Sequence, residues 1–247
     1  MQSLQYLQIR RSAVANVGKI TKAMEVVSAT KMRRSQQVAF SSRPYALAAL
    51  ELLYRATHHA FFETIHTKPR KGGRTLLVVV ASDRGLTGAF NAQVLRKADE
   101  YIKALSVPPL IIAVGKKASQ YAAKGGFDVV AEFSGYGDFV DYAEVLPLAD
   151  AILREFETNE SVGRVVTLSM HFRTTLKQEV LSRKILPTSP EKINETIKEI
   201  TPEHGRFANA ENAEIRSPRG DRISAELEVP YIIEPSRAAV AERLVPY

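Results

Sequence analysis

Two glycine-bearing turns, one serine–aspartate pair and five histidines are the residues of this chain whose types could do chemistry. A phosphate-binding P-loop needs Gly-x4-Gly-Lys-Ser/Thr, so that backbone amides wrap the phosphates and the lysine reaches them. At Gly115-Lys116 the required upstream glycine is Leu110, and at Gly18-Lys19 it is Ala13. The turn Asp83 to Ala89 (DRGLTGA) has glycines at 85 and 88, which is not the G-x-G approach to a pyrophosphate. Adjacent His58 and His59 point to different helix faces, His66 falls in a loop, His171 in a strand and His204 in a polar stretch, so no metal-ligand spacing arises. Ser82-Asp83 has no base at workable spacing, and there is no G-x-S-x-G elbow. With no cysteine, disulfides, zinc ribbons, iron–sulfur clusters and thiol catalysis are excluded together. The expectation is a chain with no catalytic, cofactor-binding or metal residues of its own.

The elements that carry these residues belong to a folded chain: of 247 residues 45% are apolar and 25% charged, far from the composition of disorder. No apolar run approaches the ~20 residues that cross a bilayer, and Met1 to Arg11 lacks an apolar signal core, so a soluble, unsecreted protein is expected.

The net charge of +7 is concentrated at one end. Residues 1–45 hold eight basic side chains (Arg10, Arg11, Lys19, Lys22, Lys31, Arg33, Arg34, Arg43) against Glu25 alone, and the rest of the chain is balanced at 26 of each sign. The same stretch reads as helix from Ser3 to about Thr57, with Gly18 and Pro44 as its breakers. Ala13, Val17, Ile20, Met24 and Val27 step by four and three, and the stepping continues through Lys31 and Arg34 to Val38. That is the period of a coiled-coil seam, so the helix requires another helix. A straight run of about 55 residues would reach about 80 Å, and protrusion is expected. Pro44 removes a backbone donor, and an interruption or kink is expected around Ser41 to Arg43. Lys22, Arg33 and Arg34 have no acid four residues away, which directs the positive face to an external acidic surface.

Beyond Thr75 the pattern is α/β. TLLVVVA (Thr75 to Ala81) is a continuous apolar run suited to a strand covered on both faces, followed by a turn and a helix from about Phe90 to Ala104. PLIIAV (Pro109 to Val114) leads into a helix over Lys116 to Lys124 that Gly125-Gly126 closes. A strand at Phe127 to Glu132, a helix at Tyr142 to Glu157, and strands at Arg164 to Phe172 and Gln178 to Ile185 follow, the last two as a hairpin with the second near an edge. The fold class is α/β, a long N-terminal coiled-coil helix plus a three-layer Rossmann-like domain, divided into a shaft helix over 1–57 and a body over 74–247. Residues 188–221 form a polar excursion with a short helix at Pro190 to Ile200, and Ala225 to Ile233 returns as a strand.

Three segments in order carry a resemblance. GKITKAMEVVSATKMRRSQ (Gly18 to Gln36), SDRGLTGAFN (Ser82 to Asn91) and EPSRAAVAERLVPY (Glu234 to Tyr247) resemble motifs of the gamma subunit of F-type ATP synthase, with Thr87 where many members have cysteine. The resemblance implies a non-catalytic central-stalk rotor subunit that couples proton flow to ATP synthesis by turning inside a ring of alpha and beta subunits. It implies the epsilon subunit and the membrane c-ring as further partners, no cofactor, no nucleic acid, no direct small-molecule substrate, and a peripheral place on the cytoplasmic face of a bacterial plasma membrane. Lys19, Ile20, Lys22, Met24, Val27, Lys31, Arg33 and Arg34 would make shaft and bearing contacts. Arg84, Gly85, Leu86, Gly88 and Asn91 would form the foot-domain turn. Members of that family continue with a C-terminal helix running antiparallel to the first, whereas this sequence stops at Tyr247; a truncated chain, or a separately supplied partner helix, is the expectation.

Two other classes fit parts of the residue pattern: a stand-alone α/β enzyme with a basic helical arm, which a phosphate loop or pocket constellation would favour, and a nucleic-acid-binding basic coiled coil, which salt-dependent DNA binding would favour.

Overall fold

A computed structural model describes residues 4–58, 64–70, 72–174 and 176–200. The strand expected at Ala225 to Ile233, the motif at Glu234 to Tyr247 and residues 201–221 of the polar excursion lie outside them.

The chain divides into two compact units, one comprising the chain to Arg43 with Gly137–Phe139, the other running from Pro44 to Tyr136 and from Val140 on. Helix α1 (Leu4–His58) passes through the boundary. Of the kink or interruption expected around Ser41 to Arg43, the interruption is absent: α1 is continuous, with Pro44 in its interior. Proline takes one rung out of the hydrogen-bond ladder at a cost of about 3 kcal/mol. Ending and renucleating the helix would forfeit several rungs and the ordering already made, so the unbroken form wins. The hydroxyls of Ser41 and Ser42 donate to the carbonyls of Val38 and Ala39, keeping these two polar side chains inside the helical turn before the proline. Three residues after Pro44, Leu47 is buried.

The second unit is built on a five-stranded sheet. Its elements are β1 (Arg74–Val80), α2 (Phe90–Lys103), β2 (Leu110–Val114), α3 (Lys116–Gly125), β3 (Asp128–Phe133), α4 (Tyr142–Thr158), β4 (Val162–Phe172), β5 (Gln178–Leu186) and α5 (Pro190–Ile200). The strand order is β3-β2-β1-β4-β5; all neighbours are parallel except the β4–β5 hairpin, which puts β5 at an edge as its mixed sequence suggests. Alternation along β1 divides the core. Leu77 and Val79 face Val94 and Ala98 of α2 and Ala118 and Ala122 of α3, while Leu76 and Val78 face Ile152 and Phe156 of α4. Both faces of the sheet are therefore covered, which makes the unit three-layered.

Local chemistry fixes where the helices begin and end. Asp141 and Glu144 form a reciprocal capping box at the start of α4. Gly126 closes α3 in the left-handed conformation (φ 63°). At the hairpin end, Arg173 reaches Glu179 at 2.6 Å and donates to the Glu199 carbonyl, while Arg183 reaches the Glu199 carboxylate at 2.7 Å, binding α5 to the two strands. His66 is buried and pairs with Glu157 at 2.8 Å over the ring of Phe156; it is a packing residue.

The carboxyl ends of the parallel strands are tied by one side chain. Asp83, just after β1, accepts from the Lys116 N–H at 2.9 Å and from the Gly135 N–H at 2.7 Å, so the loops that follow β1, β2 and β3 share a single carboxylate. These two backbone donors, chiefly Lys116, hold its carboxyl below the ordinary value of 3.8. Gly115 makes the approach possible: its φ is 90°, and a Cβ there would lie 2.2 Å from the Ala81 carbonyl oxygen.

Two predictions follow from this end of the sheet. Gly115→Ala should lower stability by at least about 2 kcal/mol, combining left-handed strain with the clash, whereas Gly85→Ala, which meets nothing, should change it by less than about 0.5 kcal/mol; urea unfolding midpoints measure both. Asp83→Asn should destabilise at neutral pH because an amide presents a donor to one of the two N–H groups. A depressed folded-state pKa contributes stability that is complete above the unfolded value of 3.8 and disappears as pH falls through the folded one. Urea titrations across acid pH should accordingly show the gap between wild type and variant closing below pH 3.8.

Candidate functional site

The residues singled out in the sequence lie in two places, one in each unit. On α1, every residue from 4 to 35 is exposed. The apolar seam is included: Val17 and Ile20 are each 62% exposed, Val27 53% and Met24 47%. A stripe of this kind in a soluble helix normally faces a core.

The five basic residues singled out on that helix, Lys19, Lys22, Lys31, Arg33 and Arg34, are not equivalent. Lys22 pairs with Glu25 at 2.9 Å, one turn away, so the basic face carries an internal acid at i+3 that a search at i+4 passes over. Lys31 meets Asp138 at 2.6 Å, and the Arg34 guanidinium lies 4.3 Å from the centre of the Phe139 ring. Asp138 and Phe139 belong to the same compact unit as this part of the helix. An ion pair with both partners about half exposed contributes roughly 0–1 kcal/mol, and an exposed cation–π contact about as much. Among the described residues no ion pair involves Lys19 or Arg33, and both are exposed. These five side chains are thus sorted into three with partners and two that face solvent.

In the second unit, the turn from Ser82 to Asn91 is held by Asn91, the first-turn residue of α2. Its Oδ1 accepts from the Ser82 N–H at 3.0 Å, and its Nδ2 donates to the Ser82 hydroxyl at 2.8 Å and to the Thr87 hydroxyl at 2.9 Å. The Ser82 hydroxyl in turn donates a hydrogen bond to the Arg84 carbonyl. With Asp83 fixing the base of the loop, Arg84, Gly85, Leu86, Thr87 and Gly88 are presented to solvent. The left-handed positions are Gly88 (φ 58°) and Leu86 (φ 61°), while Gly85 has neither positive φ nor a close neighbour. Leucine is a costly residue in that conformation, and here it is also 95% exposed, an apolar tip on a strained backbone.

Sequence reasoning missed Asp83 as the bracket, Glu25 as a partner of Lys22, and Asp138 and Phe139 as partners of the helix. Only Glu25 left a signal in the spacing. Asp83 lies 33 and 52 residues from its donors, and separations of that length are invisible to local periodicity. Among the described residues no cluster of His, Asp or Glu could hold a metal ion, and no helix is long and apolar enough to cross a membrane.

Comparison with known proteins bears on the whole chain. The family model described as ATP synthase matches residues 3–247. The ATP synthase gamma chain of Synechocystis sp. is 29% identical over 77% of this chain and 62% of its own length. That of Cyanothece sp. is 31% identical over 84% of this chain and 68% of its own length. This chain thus spans about 62% of the length of the first relative and 68% of the second. A chain from the central stalk/c-ring cryo-EM structure of Tetrahymena thermophila mitochondrial ATP synthase shares the fold, with a TM-score of 0.53 and 21% identity over 78% of this chain and 84% of its own. A long, basic, seamed helix joined to a three-layer α/β unit, together with a family match over almost every residue, makes this chain a member of the ATP synthase gamma-chain family.

Proposed function

We propose that this chain is the central-stalk rotor subunit of a proton-translocating ATP synthase, turning inside an alternating ring of alpha and beta subunits and coupling proton flow to ATP synthesis. The observation that carries the proposal is the exposed seam at Val17, Ile20, Met24 and Val27 on a helix whose solvent-facing cations include Lys19 and Arg33. The seam supplies the surface on which a second shaft helix packs. The cations supply contact with acidic segments of the beta subunits that is electrostatic and tolerant of sliding, where a tight apolar lock would stall rotation.

The subunit does no bond chemistry. As it turns, each beta subunit meets a different face of the helix and is biased among conformers by differential binding, which is the requirement for any coupling. Residues 1–57 serve as shaft and 74–247 as foot. The Asp83 bracket and Asn91 present Arg84, Leu86 and Gly88 from that foot to the epsilon subunit and the membrane c-ring. The subunit sits peripherally on the cytoplasmic face of the bacterial plasma membrane.

Co-purification of the chain with alpha and beta subunits is the expected outcome, and its failure under conditions where alpha and beta assemble would refute the proposal. Lys19→Ala with Arg33→Ala should preserve assembly but reduce protons pumped per ATP hydrolysed by a few-fold, in line with losing two exposed contacts of roughly 0.2–1 kcal/mol each. An unchanged ratio would count against the bearing role of these two residues.

A further inference from the structure

The α/β unit carries a titratable side chain that neither its apolar core nor the proposed rotor surface uses. His171, half-buried on β4, stands opposite Glu179 of β5. Its Nδ1 lies 3.0 Å from Nη2 of Arg183, also on β5. A guanidinium holds five donors and no acceptor, so Nδ1 must supply the lone pair, and the ring is neutral with its proton on Nε2. The same Arg183 donates through Nε to the Glu199 carboxylate at 2.7 Å. Arg173 donates through Nη1 to the Glu199 carbonyl at 3.1 Å and through Nε to Glu179 at 2.6 Å. Glu199 is the penultimate residue of α5, so both arginines act on the last turn of that helix, whose carbonyls have no partner within it.

The charges that face His171 are Arg173 from the end of β4, Arg183 and Glu179 from β5, and Glu199 from α5. Two cations meet two carboxylates, a set that balances only while the imidazole is neutral. A proton on Nδ1 sets a donor against a donor and adds a third positive charge beside an Arg183–Glu199 pair that is largely shielded from solvent. Burial first, and then the charges of Arg183 and Arg173, hold the imidazole below its ordinary value of 6.5 against the opposite pull of Glu199 and Glu179. We propose that His171 and Arg183 form an acid-released latch: the neutral ring holds the guanidinium where it clasps Glu199, and protonation of the ring frees the last turn of α5 from the hairpin. Once released, the ring takes up its proton around the ordinary 6.5. The latch is therefore at full strength above that pH. It weakens as pH falls below it, by up to about tenfold in the closed-to-open ratio per pH unit, until the lower value of the closed form is reached. Nothing in the latch depends on the rotor function proposed above.

Amide hydrogen exchange of the full chain tests it, with α5 referenced to α3 in the same molecule and corrected for the intrinsic pH dependence of exchange. Between about pH 7.5 and about pH 5.5, α5 should lose roughly three- to tenfold of its protection relative to α3. His171→Asn keeps an acceptor oxygen near the place of Nδ1 and takes up no proton, so α5 should be equally protected at both pH values. A second histidine, His66, lies near the same helix, its carbonyl accepting from the Thr188 N–H just ahead of α5. A pH response that persists in His171→Asn would therefore put the switch elsewhere and overturn the latch. Glu199→Gln, which weakens the clasp without touching the histidine, should lower α5 protection already at about pH 7.5, and unchanged protection there also counts against the latch. NMR titration of the His171 ring in the wild-type chain needs no variant, and its midpoint should lie below 6.5. A midpoint at or above that value, or α5 protection that does not change with pH relative to α3, overturns the proposal.

Discussion

Apolar surface left in water along α1 is the constraint to which the rest of the molecule answers. Burial is worth about 25 cal/mol per Å², so a seam of Val17, Ile20, Met24 and Val27 standing in solvent is surface that a second helix would cover at a gain of several kcal/mol. The central strand of the α/β unit is covered by comparison: β1 is buried on both faces, with α2 and α3 on one side and α4 on the other. One unit thus encloses a core between its layers, and the other displays an apolar stripe to solvent.

Most of the architecture was legible in the order of residues because the signals are local. TLLVVVA and PLIIAV can be little other than buried strands, Gly126 marks the end of α3 through a conformation that glycine adopts most readily, and the mixed pattern of β5 identifies an edge. Where the elements are held by side chains distant in sequence, nothing local betrays the link. Arg183 with Glu199, Asp83 with Lys116 and Gly135, and Lys31 with Asp138 are each ordinary surface residues until the fold brings them together. The basic helix is the instructive case. Its charge was read correctly as an excess, but an excess in sequence is not a uniformly available field, since Glu25, Asp138 and Phe139 take up three of the cations.

Pro44 exposes the opposite limitation. Propensity treats proline in a helix as a stop, yet the local cost is fixed at one missing rung while the cooperative cost of stopping grows with the helix on either side. In a helix running from Leu4 to His58 the balance favours continuity. The serine hydroxyls just upstream turn inward to carbonyls, a habit that commonly accompanies slight bending.

That continuity has an elastic consequence. A rod whose rungs are intact stores little deformation anywhere along its length, but one with a single rung absent is softest at that point. Any wind-up imposed on α1 would gather around residue 44, so the proline that fails to break the rod instead decides where its compliance resides.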